Sequence, residues 1–254
     1  MSKHRPQIPW LEPDVPLPSA EHALKAPPQL RGLVAAGEDL SPGRLQEAYR
    51  KGIFPWYSDP QPVLWWSPDP RMVLRVDDFR LHPSLKKTLR QFRRGTNHEI
   101  RIDHAFGEVI RHCATRPRRG QAGTWILPEM VAAYEALHRL GDAHSVETWI
   151  DGQLVGGLYL VCIGQAVFGE SMFSLQRDSS KIALSALIAF ARANGLAWID
   201  CQQNTPHLAS LGAREMDRRE FLSWVNRAIG QPAPVWKFES IYWNFIDPIA
   251  PDTP

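Results

Sequence analysis

The chain has 254 residues, 44% hydrophobic and 22% charged, with a formal net charge of +2; this suits one large globular domain, or a domain with a smaller partner. No apolar run reaches membrane-spanning length, and the N-terminus, broken by Pro6, Pro9, Pro13, Pro16 and Pro18, offers no apolar signal-peptide core, so neither a membrane nor a secreted protein is expected. Three scattered cysteines (Cys113, Cys162, Cys201) without a CxxC argue against a disulfide framework and place the chain in a reducing cytoplasm.

In chain order, residues 1–30 hold seven prolines and should run extended over the surface. Ser41-Pro42 starts a short helix that Gly52 ends. From Ile53 to Arg71, Phe54, Trp56, Tyr57, Trp65 and Trp66 alternate with prolines, a pattern that favours a proline-braced minor core. Met72 to Val76 reads as a strand. Pro83 to Arg94 reads as a helix with Leu85, Leu89 and Phe92 inward and Lys86, Lys87, Arg90, Arg93 and Arg94 on one broad side. Between Arg80 and Arg119 eleven Lys/Arg face three acids, a net of +8, which favours a phosphate-binding surface. A strand follows over 98–102, then a helix capped by Asp103, a basic loop Arg116–Gly120, and a helix over 128–140 with Val131, Tyr134 and Leu137 inward. Strands at 144–150 and 153–162 joined by Asp151-Gly152 form a hairpin, because Asp-Gly supplies the positive φ of a tight turn. A strand over 165–170 leads to a helix over 180–194, apolar nearly all round and capped by Asp178 or Ser179. After it come a strand over 196–202, a short helix from Thr205-Pro206, and an amphipathic helix over 219–229.

Three polar side chains, Glu170, Asp200 and Gln202, stand in or beside these apolar strands, where polar groups are costly unless paired or used. Asp200 and Gln202, two apart, share one face, with Cys201 opposite. Cys201 has no activating neighbour in sequence and reads as packing rather than a nucleophile. The nine histidines show no ligand spacing, so no metal is expected, and no cofactor either.

The order hairpin, helix, strand, short helix, Leu211-Gly212-Ala213 resembles the back half of an acyl-CoA N-acyltransferase. Such folds cradle the CoA pyrophosphate on a glycine-rich turn before the central helix. Here that turn reads Gln176-Arg177-Asp178-Ser179-Ser180-Lys181, without glycine and with an acid, which disfavours CoA. A basic surface with an acyltransferase-like core instead suggests an acyl group carried on nucleic acid. That is aminoacyl-tRNA, whose ester is already activated.

The sequence resembles the leucyl/phenylalanyl-tRNA–protein transferase family. The matching stretches include Gly52-Ile53-Phe54-Pro55-Trp56, Leu64-Trp65-Trp66-Ser67-Pro68-Asp69-Pro70-Arg71, Gly123-Thr124-Trp125-Ile126, His144-Ser145-Val146-Glu147, Gly169-Glu170-Ser171-Met172-Phe173-Ser174 and Ile199-Asp200-Cys201-Gln202. The resemblance implies an α+β fold with a small N-terminal α/β domain (1–77) and a C-terminal acyl-CoA N-acyltransferase-like (GNAT-like) domain (78–254), expected to be a monomer. It implies transfer of Leu or Phe, with Met as a further donor, from tRNA to the α-amine of proteins beginning with Arg or Lys, marking them for N-degron proteolysis. It also implies that Trp56, Trp125, Leu158, Leu184, Leu187 and Ile199 wall the donor side-chain pocket and that Glu170 anchors the donor ammonium. Gln202 is expected to orient the amine and carbonyl. Asp200 serves either in proton transfer or in positioning alone. Lys86, Lys87, Arg90, Arg93 and Arg94 are expected on tRNA phosphates. Rival readings are a CoA-dependent N-acetyltransferase, an RNA-binding module, and tRNA-dependent aminoacyl transfer to another amine.

Overall fold

In the computed structural model the described residues are 7–115 and 126–247. Two sheets are formed. The smaller holds β1 (Trp10–Leu11), β2 (Leu33–Gly37), β3 (Phe54–Pro55) and β4 (Val63–Trp66) in the order β1-β2-β4-β3. Helix α1 (Pro42–Arg50) connects β2 to β3, and the Ser41 hydroxyl caps it by accepting from the Arg44 N–H. The N-terminal stretch does not simply cross the surface: Leu11, Leu17, Ala20 and Ala23 are buried in the core, because β1 pairs with β2 in parallel.

The larger sheet begins with β5 (Arg71–Arg75). The expected boundary at residue 77 therefore falls beyond a strand of the larger sheet, and the chain changes sheets between Trp66 and Arg71. Helix α2 (Pro83–Arg94), β6 (His98–Ile102), α3 (Phe106–Thr115) and α4 (Pro128–Arg139) follow, then β7 (Ala143–Ile150), β8 (Gln153–Ile163) and β9 (Ala166–Ser174). After them come α5 (Ser179–Ala193), β10 (Trp198–Gln202), α6 (Pro206–Ser210), β11 (Arg214–Met216) and α7 (Arg218–Ala228). The sheet order is β11-β5-β10-β9-β8-β7-β6. Asp151 (φ 50°) and Gly152 (φ 73°) make the β7–β8 turn; two successive positive φ values match the right-handed twist of the paired strands.

Alternation along β8 sorts the interior into two cores. Tyr159, Val161 and Ile163 join one; Leu158, Leu160 and Cys162 join the other. The first core is completed by α1, α3, α4, α7 and the small sheet, so the N-terminal part shares its apolar interior with the larger sheet. The second is built on α5, buried along its length from Ile182 to Ala191, with α2 and Trp243 of the C-terminal segment over it.

Two local expectations differ. Asp103 does not cap α3: at φ 58° it turns back, and its carboxylate accepts from the Ser145 N–H and meets His144 Nδ1. Asp178 stands at the N-cap of α5 but in the left-handed region, and its carboxylate pairs with Lys181 Nζ at 2.7 Å instead of capping. The free N–H of Ser180 is taken by Ser174 Oγ at 3.0 Å. That contact exists because β9 runs on to Ser174, past the expected end at residue 170.

Candidate active site

The site lies where two neighbouring parallel strands part. β9 and β10 pair only through Val167–Ile199 and Phe168–Asp200. Just beyond, each carries a bulge. Gly169 opposes Leu160 and Ser171 opposes Tyr159, leaving Glu170 as the extra residue of β9. On β10 the register to β5 slips between Asp200 and Gln202. A bulge re-aims a side chain and ends pairing, so Glu170 and Gln202 meet over the notch.

Gln202 Nε2 donates to Glu170 Oε1 at 2.9 Å, and the Tyr49 hydroxyl donates to the same oxygen at 2.7 Å. The Tyr134 hydroxyl is 3.4 Å from Oε2 and is bonded to the Tyr49 hydroxyl. Burial pushes the Glu170 carboxyl up to about 7; the bonds from Tyr49 and Gln202 pull against that rise, Asp200 adds to it, and Arg71 opposes it. Burial, followed by the Glu170 charge, holds both phenols well above their usual range.

Asp200 is fully buried and is paired with Arg71. Arg71 Nε reaches its Oδ1 at 2.8 Å and Nη2 its Oδ2 at 2.6 Å. The guanidinium is stacked between the rings of Phe54 (4.8 Å) and Phe221 (4.4 Å). Oδ1 also accepts from the backbone N–H of Gln202 at 2.9 Å. Gln202 has φ 62°, a left-handed conformation uncommon outside glycine, and this bond holds it there. Both Asp200 oxygens thus face the Arg71 guanidinium or a backbone N–H, so the carboxylate ties β5 to the backbone of Gln202. Cys201 packs against the second core, and burial pushes its thiol up to about 12, so it is no nucleophile near neutrality.

The residues expected to wall the donor pocket are only partly brought together. Leu158, Leu184, Leu187 and Ile199 are buried in the second core. Trp56 is half-buried against the first core, edge-on to Trp66, and Trp125 lies outside the described residues. The basic loop Arg116–Gly120 also lies outside them.

On α2, Lys86, Lys87, Arg90 and Arg94 line one outward groove of about 630 Å³, while Arg93 is half-buried and donates to the Asp247 carbonyl oxygen at 2.7 Å. The buried Asp247 carboxylate takes Arg90 at 2.8 Å and Lys86 at 3.1 Å. Lys87 and Arg94 are exposed.

Sequence reading missed Tyr49, and it placed Tyr134 only as an inward helix residue and Arg71 only within a motif. The signal available was a tyrosine on the buried stripe of each of two helices, since a buried phenol needs a partner for its hydroxyl. Which partner it finds depends on how the helices cross the sheet.

Residues 73–226 match the family described as leucyl/phenylalanyl-tRNA protein transferase, and residues 38–69 match its N-terminal domain. The chain is 60% identical over 237 residues to the leucyl/phenylalanyl-tRNA–protein transferase of Methylibium petroleiphilum, covering 92% of this chain and 89% of the relative. It is 57% identical to that of Burkholderia multivorans, covering 91% of each. Among solved structures, the C-terminal domain (DUF2156) of a putative lysylphosphatidylglycerol synthetase from Agrobacterium fabrum is similar at TM-score 0.34 and 16% identity, over 76% of this chain and 58% of that one, a likeness too low to carry an argument. On the strength of the two family matches and the relatives' identity along nearly the whole chain, the protein belongs to the leucyl/phenylalanyl-tRNA–protein transferase family of aminoacyltransferases.

Proposed function

We propose that the chain moves Leu or Phe, with Met as a further donor, from tRNA to the α-amine of proteins beginning with Arg or Lys. It acts as a cytoplasmic monomer, and its products enter N-degron proteolysis. The single observation that carries the mechanism is the Glu170–Gln202 pair over the strand notch. A carboxylate at Glu170 pairs with the α-ammonium of the aminoacyl ester and fixes its orientation. Gln202 gives one amide proton to Glu170; its second N–H is free to polarise the ester carbonyl and its oxygen to accept from the incoming amine. The amine nitrogen attacks the ester carbonyl carbon, a C–N bond forms, and the C–O bond to the tRNA ribose breaks. The proton lost by the amine leaves with the ribose hydroxyl. No ATP is consumed, because the ester is already activated, and proximity supplies much of the acceleration.

Asp200 and Arg71 act from beneath, holding the backbone of Gln202. Leu158, Leu184, Leu187 and Ile199, with Trp56 and Trp125, select an apolar donor side chain. Each methylene there is worth about 1–3 kcal/mol, so Leu and Phe are both tolerated, while an unpaired charge is refused. The α2 groove takes tRNA phosphates without reading bases. The parting of β9 from β10 beside paired bulges supports a GNAT-like assignment of the larger sheet.

Purified protein incubated with labelled Leu-tRNA or Phe-tRNA, without ATP or CoA, should label an acceptor beginning with Arg but not one beginning with Ala. Transfer to both, or to neither despite tRNA binding, rejects the acceptor rule. Acetyl transfer from acetyl-CoA would favour the rival enzyme class.

A further inference from the structure

The two phenols at Glu170 are not explained by the transfer chemistry. Tyr49 comes from α1 and Tyr134 from α4, neither of them an element of the larger sheet. Both are fully buried, and both hydroxyls reach one carboxyl group. Proton counting assigns the bond between them. Tyr49 has one hydroxyl proton, and it goes to Glu170 Oε1; the single Tyr134 proton has two acceptors in reach, the Tyr49 oxygen in a short contact and Glu170 Oε2 at 3.4 Å, and the shorter contact takes it. The direction of donation is Tyr134 to Tyr49 to Glu170, ending on an acceptor that is strongest as an anion. If Glu170 takes up a proton, its Oε2 can donate across the 3.4 Å gap to the Tyr134 oxygen. The three groups then close a ring in which each donates once. The cluster thus accommodates two states that differ by one proton without orphaning a buried oxygen.

We infer that Tyr49 and Tyr134 are positioning residues that hold Glu170 as an anion for a primary ammonium, with Tyr49 the direct donor and Tyr134 acting through it. This rests on the reading of Glu170 as the ammonium anchor. The groups facing Glu170 are Tyr49 from α1, Tyr134 from α4, Gln202 and Asp200 from β10, and Arg71 from β5. Burial and Asp200 favour its neutral form. Tyr49 and Gln202 stabilise the charged form through hydrogen bonds, and Arg71 does so through its charge. Removing a phenol donor shifts that balance toward the neutral acid.

The test uses Tyr49→Phe and Tyr134→Phe, which keep both rings in place. Two readouts are taken: titration of the Glu170 side-chain carboxyl by carbon-13 NMR in full-length protein labelled at glutamate and assigned by its absence in Glu170→Gln, and the pH profile of kcat/KM for transfer from Phe-tRNA. Tyr49→Phe should move both midpoints to higher pH, with about tenfold less activity where the parent is half-maximal and near-parental activity well above it. Tyr134→Phe should move them the same way by less. A carboxyl midpoint unchanged in both variants, or a rate lowered equally at every pH, overturns the proposal and leaves the tyrosines as packing. A shifted carboxyl midpoint in a protein that transfers nothing keeps the tyrosine assignment and rejects the ammonium-anchor reading instead.

Discussion

Asp200 has every polar contact the structure gives it inside the protein. Its two oxygens are occupied by Arg71 and by the Gln202 N–H, and the ion pair is sealed between Phe54 and Phe221. Removing one member of a buried pair leaves the other charge unsolvated, at a cost of about 3–5 kcal/mol. Asp200→Asn should therefore lower the denaturant midpoint markedly, and a double replacement of Arg71 and Asp200 by apolar residues should recover part of that loss. A stable Asp200→Asn variant that transfers slowly at every pH would instead point to a role in proton transfer. Glu170 gives the opposite kind of signature. Folded, it keeps its proton up to about pH 7; an unfolded glutamate releases it near about pH 4.3. Its contribution to stability is complete below that lower value and is lost as pH rises across the interval. Glu170→Gln should remove this loss, read as thermal midpoints of both proteins from about pH 4 to pH 8. The residue types at the notch were readable from the chain because polar groups in apolar strands are conspicuous. Their partners were not readable, because Arg71 and the two tyrosines arrive from elements far away in sequence.

At the scale of elements, α2 and the C-terminal segment behave as one surface. Lys86 and Arg90 already share Asp247, whereas Lys87 and Arg94 face out with their charge unspent on that carboxylate. Each cation withdrawn from a phosphate should flatten the salt dependence of tRNA binding by about one unit of slope. Neutralising Lys86, Arg90 and Arg94 together should weaken binding and flatten that slope. Replacing Lys87 and Arg94 with Gln should flatten it more than replacing Lys86 and Arg90, as measured by titration across salt concentrations. Equal effects would mean that Asp247 gives up its cations to the RNA. The basic stripe of this helix was plain in the sequence because its period is 3.6. The aspartate that engages it lies 157 residues beyond Arg90, a separation that no local pattern reveals. The Asp151-Gly152 hairpin, by contrast, is fixed by backbone conformations that two adjacent residues supply.

For the molecule as a whole, the C-terminal segment is anchored on the second core through its tryptophans. Trp236 stacks on both His144 (4.2 Å) and Phe190 (4.7 Å), and Trp243 is buried. Ending the chain after Pro234 would strip two tryptophans from the second core and the Asp247 partner from Lys86 and Arg90. A large fall in melting temperature is expected, since deleting a large buried aromatic costs about 3–5 kcal/mol. A truncated chain that melts as the parent does would show that α5 is sufficiently covered without the segment. The aromatic-rich tail was visible as composition; that it covers α5 follows from the sheet order, which brings that helix and α2 to the same face.

The sandwich around Arg71 also has a meaning for the order in which the chain is made. Its four members are Phe54, Arg71, Asp200 and Phe221, and synthesis delivers them in that order, from the N-terminal end. While only the first half of the chain exists, Arg71 has neither its carboxylate nor its second ring. A guanidinium without them stays hydrated, because burying it unpaired is costly. Gln202 in turn donates its backbone N–H to the same Asp200 carboxylate that Arg71 holds. The set of contacts beneath the notch is therefore complete only once α7 has been added. A chain that stops short of α7 carries most of the fold's residues but lacks the Phe221 ring that packs on Arg71.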